Sequence, residues 1–158
     1  MTQTQLFEDS SPLPEGFRYE VTFFSPAEEA ALVETIREQP LREAQYKEWS
    51  AKRRIVSYGG SYDFSSNELL PAGPVPPWLH PLRARIAGWV GIPTTELDHV
   101  LVAEYSPGTQ LGWHRDVPNF DVVVGVSLLG RARMRLRRYP AKVGPYMEIG
   151  RASCRERV

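Results

Sequence analysis

The sequence predicts an α+β fold with an antiparallel double sheet, and three observations carry that prediction. Two amphipathic helical stretches precede Gly91, strand-like runs at short spacing follow Pro93, and turn dipeptides separate those runs. The 158 residues suit one ordinary domain. With 42% hydrophobic and 24% charged residues, the chain is unlike disordered segments, collagen repeats or disulfide scaffolds.

The elements follow in order. Residues 1–16 are polar, contain Pro12 and Pro14, and read as a flexible arm. Ser25-Pro26-Ala27-Glu28 supplies a capping hydroxyl, a first-turn proline and early acids, and Leu32, Val33 and Ile36 then form an apolar stripe. That helix is expected to stop near Gln39-Pro40. Ile55, Ser57-Tyr58-Gly59-Gly60, Tyr62 and Phe64 read as strand, glycine bend, strand. Residues 71–77 hold four prolines and can only be an extended connection. Leu82, Ile86, Trp89 and Val90 give a second helical stripe closed by Gly91. Beyond Pro93, residues 99–105 read as a strand, Pro107-Gly108 as a turn, and 110–116 as a strand. Residues 120–128 form a near-continuous apolar run, and 131–139 alternate arginine with Ala132, Met134 and Leu136, which are expected to face inward.

Charge and cysteine content narrow the partners. Lys plus Arg and Asp plus Glu both number 19, so no global field attracts nucleic acid or an anionic membrane, and any such partner needs a local patch. Arg131, Arg133, Arg135 and Arg137 form one candidate, a stripe on one sheet face that suits a phosphate backbone unless nearby acids pair with it. No apolar run approaches the ~18 residues of a membrane span. The start Met1-Thr2-Gln3-Thr4-Gln5 lacks the charged and apolar regions of a signal peptide. The chain is therefore expected to be cytoplasmic, without a membrane partner, and its single cysteine, Cys154, forms no internal disulfide.

Trp113-His114-Arg115-Asp116 carries the chemistry. Two apart on a strand, His114 and Asp116 share a face and offer one imidazole nitrogen and one carboxylate oxygen. A mixed histidine and carboxylate site with open positions suits non-haem Fe(II), given a second histidine from elsewhere. The same spacing also fits a surface histidine and aspartate beside a turn. His80 and His99 fit structural roles, and nothing in the sequence brings either to His114.

Residues 102–116, VAEYSPGTQLGWHRD, followed by 124–128, VGVSL, resemble the AlkB-type branch of the Fe(II)- and 2-oxoglutarate-dependent dioxygenases. The resemblance starts near LPEGF at 13–17, takes in Tyr58-Gly59 and Tyr62, and runs to about Tyr139. It implies a double-stranded β-helix, or jelly-roll, core with N-terminal helices and an α/β lid. It further implies that His114 and Asp116 hold Fe(II), and that Tyr105 bonds a carboxylate of 2-oxoglutarate in a pocket lined by Leu111, Ser127 and Leu136. Where the family often has asparagine, two positions before that tyrosine, this chain has Ala103. Tyr62 is similar to a substrate-side aromatic but equally fits ordinary packing, and Arg115, pointing to the face opposite the ligands, suits either a substrate or phosphate contact or plain solvation. The activity so implied is oxidation of a C–H bond with O₂ as co-substrate, most often demethylation of alkylated nucleobases in DNA or RNA, a DNA-repair chemistry. A protein or small-molecule substrate, a zinc hydrolase, and a non-catalytic binding module or pseudoenzyme are the alternatives.

The family also uses a second metal histidine on a late strand and an arginine beyond it that pairs with the distal carboxylate. Neither is found after Tyr139. The tail 149–158, IGRASCRERV, resembles one reading frame through a sequencing-adapter oligonucleotide. The expected layout is thus an arm at 1–16, an incomplete dioxygenase domain at 17–148 lacking its C-terminal strands, and an artefactual tail at 149–158. The competing reading of that tail is a genuine basic segment.

Overall fold

The computed structural model describes residues 16–46, 49–63, 68–116, 119–136 and 147–152. The chain forms two compact units, Leu32–Val124 and Met1–Ala31 with Gly125–Val158. Helix α1 is Pro26–Arg37, and strands β1 (Arg42–Tyr46), β2 (Trp49–Tyr58), β3 (Gly60–Asp63) and β4 (Glu68–Pro71) follow. A 3₁₀ turn at Pro77–Leu79 leads into helix α2 (His80–Val90), and a second at Thr94–Glu96 precedes strand β5 (Val100–Tyr105). Strands β6 (Ala132–Leu136) and β7 (Met147–Ala152) complete the order. Every pairing is antiparallel: β1-β2-β5 form a three-stranded sheet, and β3-β4 and β6-β7 are two-stranded.

Helix α1 starts where its sequence says. The Ser25 backbone N–H donates to Glu28 Oε2 at 2.7 Å, and the Glu28 N–H donates to Ser25 Oγ at 3.3 Å, a reciprocal capping box. Helix α2 ends on Gly91 at φ +89, a left-handed position that costs a side-chain-bearing residue energy. Arg83 then fastens the next loop, donating from Nε to the Leu97 carbonyl at 2.7 Å and from Nη2 to Thr94 at 3.2 Å.

Strand β2 is the spine of the larger unit, flanked by β1 and β5. Its register with β5 is unbroken from Arg53↔Tyr105 to Tyr58↔Val100. On one face Tyr58 donates its hydroxyl hydrogen to Gln39 Oε1 at 2.9 Å and meets Trp78 edge-on, ring centroids 6.5 Å apart. The other face aligns Arg53, Ile55 and Ser57 with Tyr105, Ala103 and Leu101. Gly59 makes the bend between β2 and β3 at φ +78, and a Cβ there would stand 1.8 Å from the Asp98 carbonyl oxygen, so glycine is required twice over. The buried core among the described residues is small: Val33, Ala44, Leu79, Ile86 and Ala87. Leu79, at 2% exposure, stabilises the α2 region by about 1.5–3 kcal/mol relative to an exposed leucine.

Three expectations need revision. Residues 110–116 do not form a strand but an irregular segment bent at Trp113, and 120–128 also lack strand pairing. An apolar run becomes a buried strand only where a ladder and a second layer receive it, and Val122, Val123 and Val126 are instead 39%, 59% and 36% exposed. Ala132 and Met134 likewise do not face a core, since both are exposed on β6. Conversely β1 and β4 had no sequence signal. The polar run Arg42–Tyr46 is a strand because β2 pairs with it, and Pro71 is tolerated because β4 pairs on one side only. Residues 1–15, Phe64, Arg137, Tyr139 and residues 153–158 of the tail lie outside the described residues. No helix among the described residues is long and apolar enough to cross a membrane.

Candidate functional site

The site begins where β5 ends. After Tyr105 the chain turns through Pro107-Gly108, with Gly108 at φ +80 and the Thr109 N–H donating to the Ser106 carbonyl at 3.0 Å. The Thr109 hydroxyl donates to the Lys52 carbonyl on β2 at 2.9 Å. Residues 110–116 therefore leave the sheet from an anchored root, although they have no ladder of their own.

Within that segment His114 folds back on itself. Its Nδ1 lies 2.8 Å from the Gly112 carbonyl oxygen. A carbonyl can only accept, so Nδ1 carries the hydrogen and the neutral ring keeps its lone pair on Nε2. That nitrogen faces Asp116 Oδ1 at 3.7 Å, and both side chains are exposed. A backbone carbonyl fixing one ring nitrogen so that the other is free to ligate is the usual outer arrangement of a metal-binding histidine. The donor pair is thus fit to hold a divalent ion such as Fe(II), by a local fold different from the strand expected of it.

Tyr105 sits at the edge of the three-stranded sheet, 46% exposed. Arg53 Nη1 donates to its hydroxyl oxygen at 3.2 Å, and the guanidinium carbon lies 5.9 Å from the ring centroid. On the opposite face, Arg54 donates from Nε to Glu104 Oε2 at 2.8 Å and from Nη2 to the same oxygen. Glu43, Lys52, Arg53, Arg54, Glu104 and Ser106 line a charged groove of ≈ 280 Å³.

The remaining candidates are dispersed. Leu111, in the same unit as Tyr105, is 54% exposed. Tyr62 lies half-buried on β3 opposite Leu69, and Arg115 is exposed between the two proposed ligands. Ser127 and Leu136 belong to the other unit, Ser127 exposed and Leu136 half-buried at the end of β6. His80 Nε2 approaches the Val75 carbonyl at 3.1 Å. His99 stacks on Phe120 with centroids 4.9 Å apart. Among the described residues no three His, Cys, Asp or Glu side chains gather as a metal cage, so neither histidine joins His114 and Asp116.

Two features escaped the sequence reading. The Gly112 carbonyl is a backbone group with no sequence signature. Arg53 gains its place only through pairing with Tyr105, 52 positions away, and register between distant strands is not written in either one alone.

No solved structure matches the chain. The model of the 2OG-Fe(II) oxygenase superfamily matches residues 16–149, which includes Tyr105, His114 and Asp116. The mixed helix and antiparallel sheet content fits such an oxygenase fold. The chain belongs to the 2OG-Fe(II) oxygenase superfamily and is by family an Fe(II)- and 2-oxoglutarate-dependent dioxygenase, with O₂ as co-substrate.

Proposed function

We propose that this chain is an AlkB-like member of the superfamily, built on a jelly-roll core, that demethylates alkylated nucleobases in DNA or RNA. His114 and Asp116 hold the Fe(II). Tyr105 bonds a carboxylate of 2-oxoglutarate, with Leu111 beside it. Tyr62 and Arg115 face the substrate. The bond from His114 Nδ1 to the Gly112 carbonyl is the observation that best supports this reading, because it leaves Nε2 free beside a carboxylate. Bound there, iron with 2-oxoglutarate and O₂ supplies the oxidising power to hydroxylate a C–H bond, releasing succinate and CO₂. On an N-methyl group the product is an N-hydroxymethyl that collapses to N–H and formaldehyde. The protein's share is to hold one methyl in position and the bond-forming atoms in register.

No histidine follows His114 in the sequence. We propose that the second metal histidine and the arginine for the distal carboxylate come from residues outside this chain. Succinate formation from 2-oxoglutarate in the presence of Fe(II), assayed on alkylated single-stranded DNA and RNA, tests the reading. Activity is expected from a protein carrying the completing strand, and His114→Ala is expected to abolish it. Undiminished turnover in that variant removes the metal assignment. The second reading, a binding module without catalysis, is favoured by the lack of a third ligand among the described residues. It predicts affinity for the nucleic acid with no succinate formed.

A further inference from the structure

On the face of the β2-β5 pair that carries Tyr105, the other β5 residues are apolar. Opposite Tyr105, Ala103 and Leu101 stand Arg53, Ile55 and Ser57. Ala103 and Leu101 bring no polar side-chain atom to this face, so on β5 Tyr105 acts there alone. Arg53 is its direct cross-strand partner and reaches its hydroxyl at 3.2 Å. A guanidinium only donates, so the tyrosine oxygen accepts and its own hydrogen must point elsewhere. The cation also polarises that O–H bond and strengthens it as a donor. A second observation concerns the same guanidinium: Arg53 Nε is buried and has no hydrogen-bond partner among the described residues. Leaving such a group unpaired is costly, and its hydrogen awaits an acceptor.

We propose that Arg53 is a positioning residue for the co-substrate: it fixes the Tyr105 hydroxyl so that its hydrogen is presented to a carboxylate of 2-oxoglutarate. This rests on the reading of Tyr105 as a 2-oxoglutarate contact, and extends it to a residue from a different strand. The cation does not replace the tyrosine. It removes the orientations in which the hydroxyl hydrogen is turned away.

The test is equilibrium dialysis of labelled 2-oxoglutarate with Mn(II) and the protein carrying the completing strand, a readout that needs no turnover. Arg53→Met is expected to weaken binding about tenfold, as loss of one charge-assisted contact does. Tyr105→Phe is expected to weaken it at least as much. In the Tyr105→Phe background, Arg53→Met is expected to change binding by less than about twofold, since the hydroxyl it orients is gone. A residue that only stabilised the sheet would cost the same in both backgrounds, and that result overturns the proposal. Arg53→Lys keeps the charge and a donor, and is expected to recover binding to within about threefold of wild type. It also serves as the second variant should Arg53→Met fold poorly, and binding by Arg53→Lys as weak as by Tyr105→Phe, with an unchanged urea midpoint, counts against the proposal. If Tyr105→Phe binds 2-oxoglutarate as wild type does, the Tyr105 reading itself falls. If Tyr105→Phe weakens binding and Arg53→Met does not, Arg53 alone is dismissed.

Discussion

At the scale of single residues, the larger unit is organised around Tyr58 and Gly59. The Tyr58 phenol is pushed above its ordinary value of 10.0 by desolvation, while its hydroxyl donates to Gln39. The unfolded chain therefore releases this proton at lower pH than the folded one. The stability that follows is full below about pH 10 and is lost as pH climbs from there through the raised folded value. Urea unfolding at about pH 9 and about pH 11 should show a smaller alkaline loss for Tyr58→Phe than for wild type. An equal loss in both would mean that other groups account for the slope. The sequence was legible here to the extent that its chemistry is local. Gly59 announced a bend, because residue type suffices for it. The acceptor on Gly112 and the partner on β2 were not legible, since a carbonyl has no identity in sequence and Arg53 reaches Tyr105 only through the sheet.

Among the elements, the helices follow their sequence more closely than the strands do. The Ser25-Glu28 box, the left-handed Gly91 and the stop at Arg37 are set within a few residues of themselves, so pattern alone locates them. Ser25→Ala should lower stability by about 1 kcal/mol, read as a fall of about 2–4 °C in thermal midpoint. No change would show that α1 is held wholly by its buried side, through Val33, and that its cap is incidental. Strands answer to partners instead. β1 pairs although its sequence is polar, and 120–128 does not although its sequence is apolar. For the same reason the segment carrying His114 and Asp116, expected as a strand, is irregular.

For the molecule as a whole, the described residues carry an unusual amount of uncovered apolar surface: Leu111, Trp113, Val123, Leu129 and Met134 are each at least 45% exposed. Only five hydrophobic residues are buried among those described. This balance predicts that the 158-residue chain binds an environment-sensitive hydrophobic dye under native conditions and melts over a broad range. A sharp cooperative transition without dye binding would contradict it. Against that loosely covered surface, the ladder between β2 and β5 is the stiff part, six consecutive pairs without a slip. It works as a ruler. One end meets the Gly59 bend, the other carries Arg53 opposite Tyr105, and the count between them is the same on both strands. A single inserted codon within 100–105 would carry Tyr105 to the far side of the sheet and leave Arg53 facing Glu104. Substitutions at Ser57 or Leu101 leave that count intact, so the spelling of this stretch can change without moving Tyr105, whereas its length cannot.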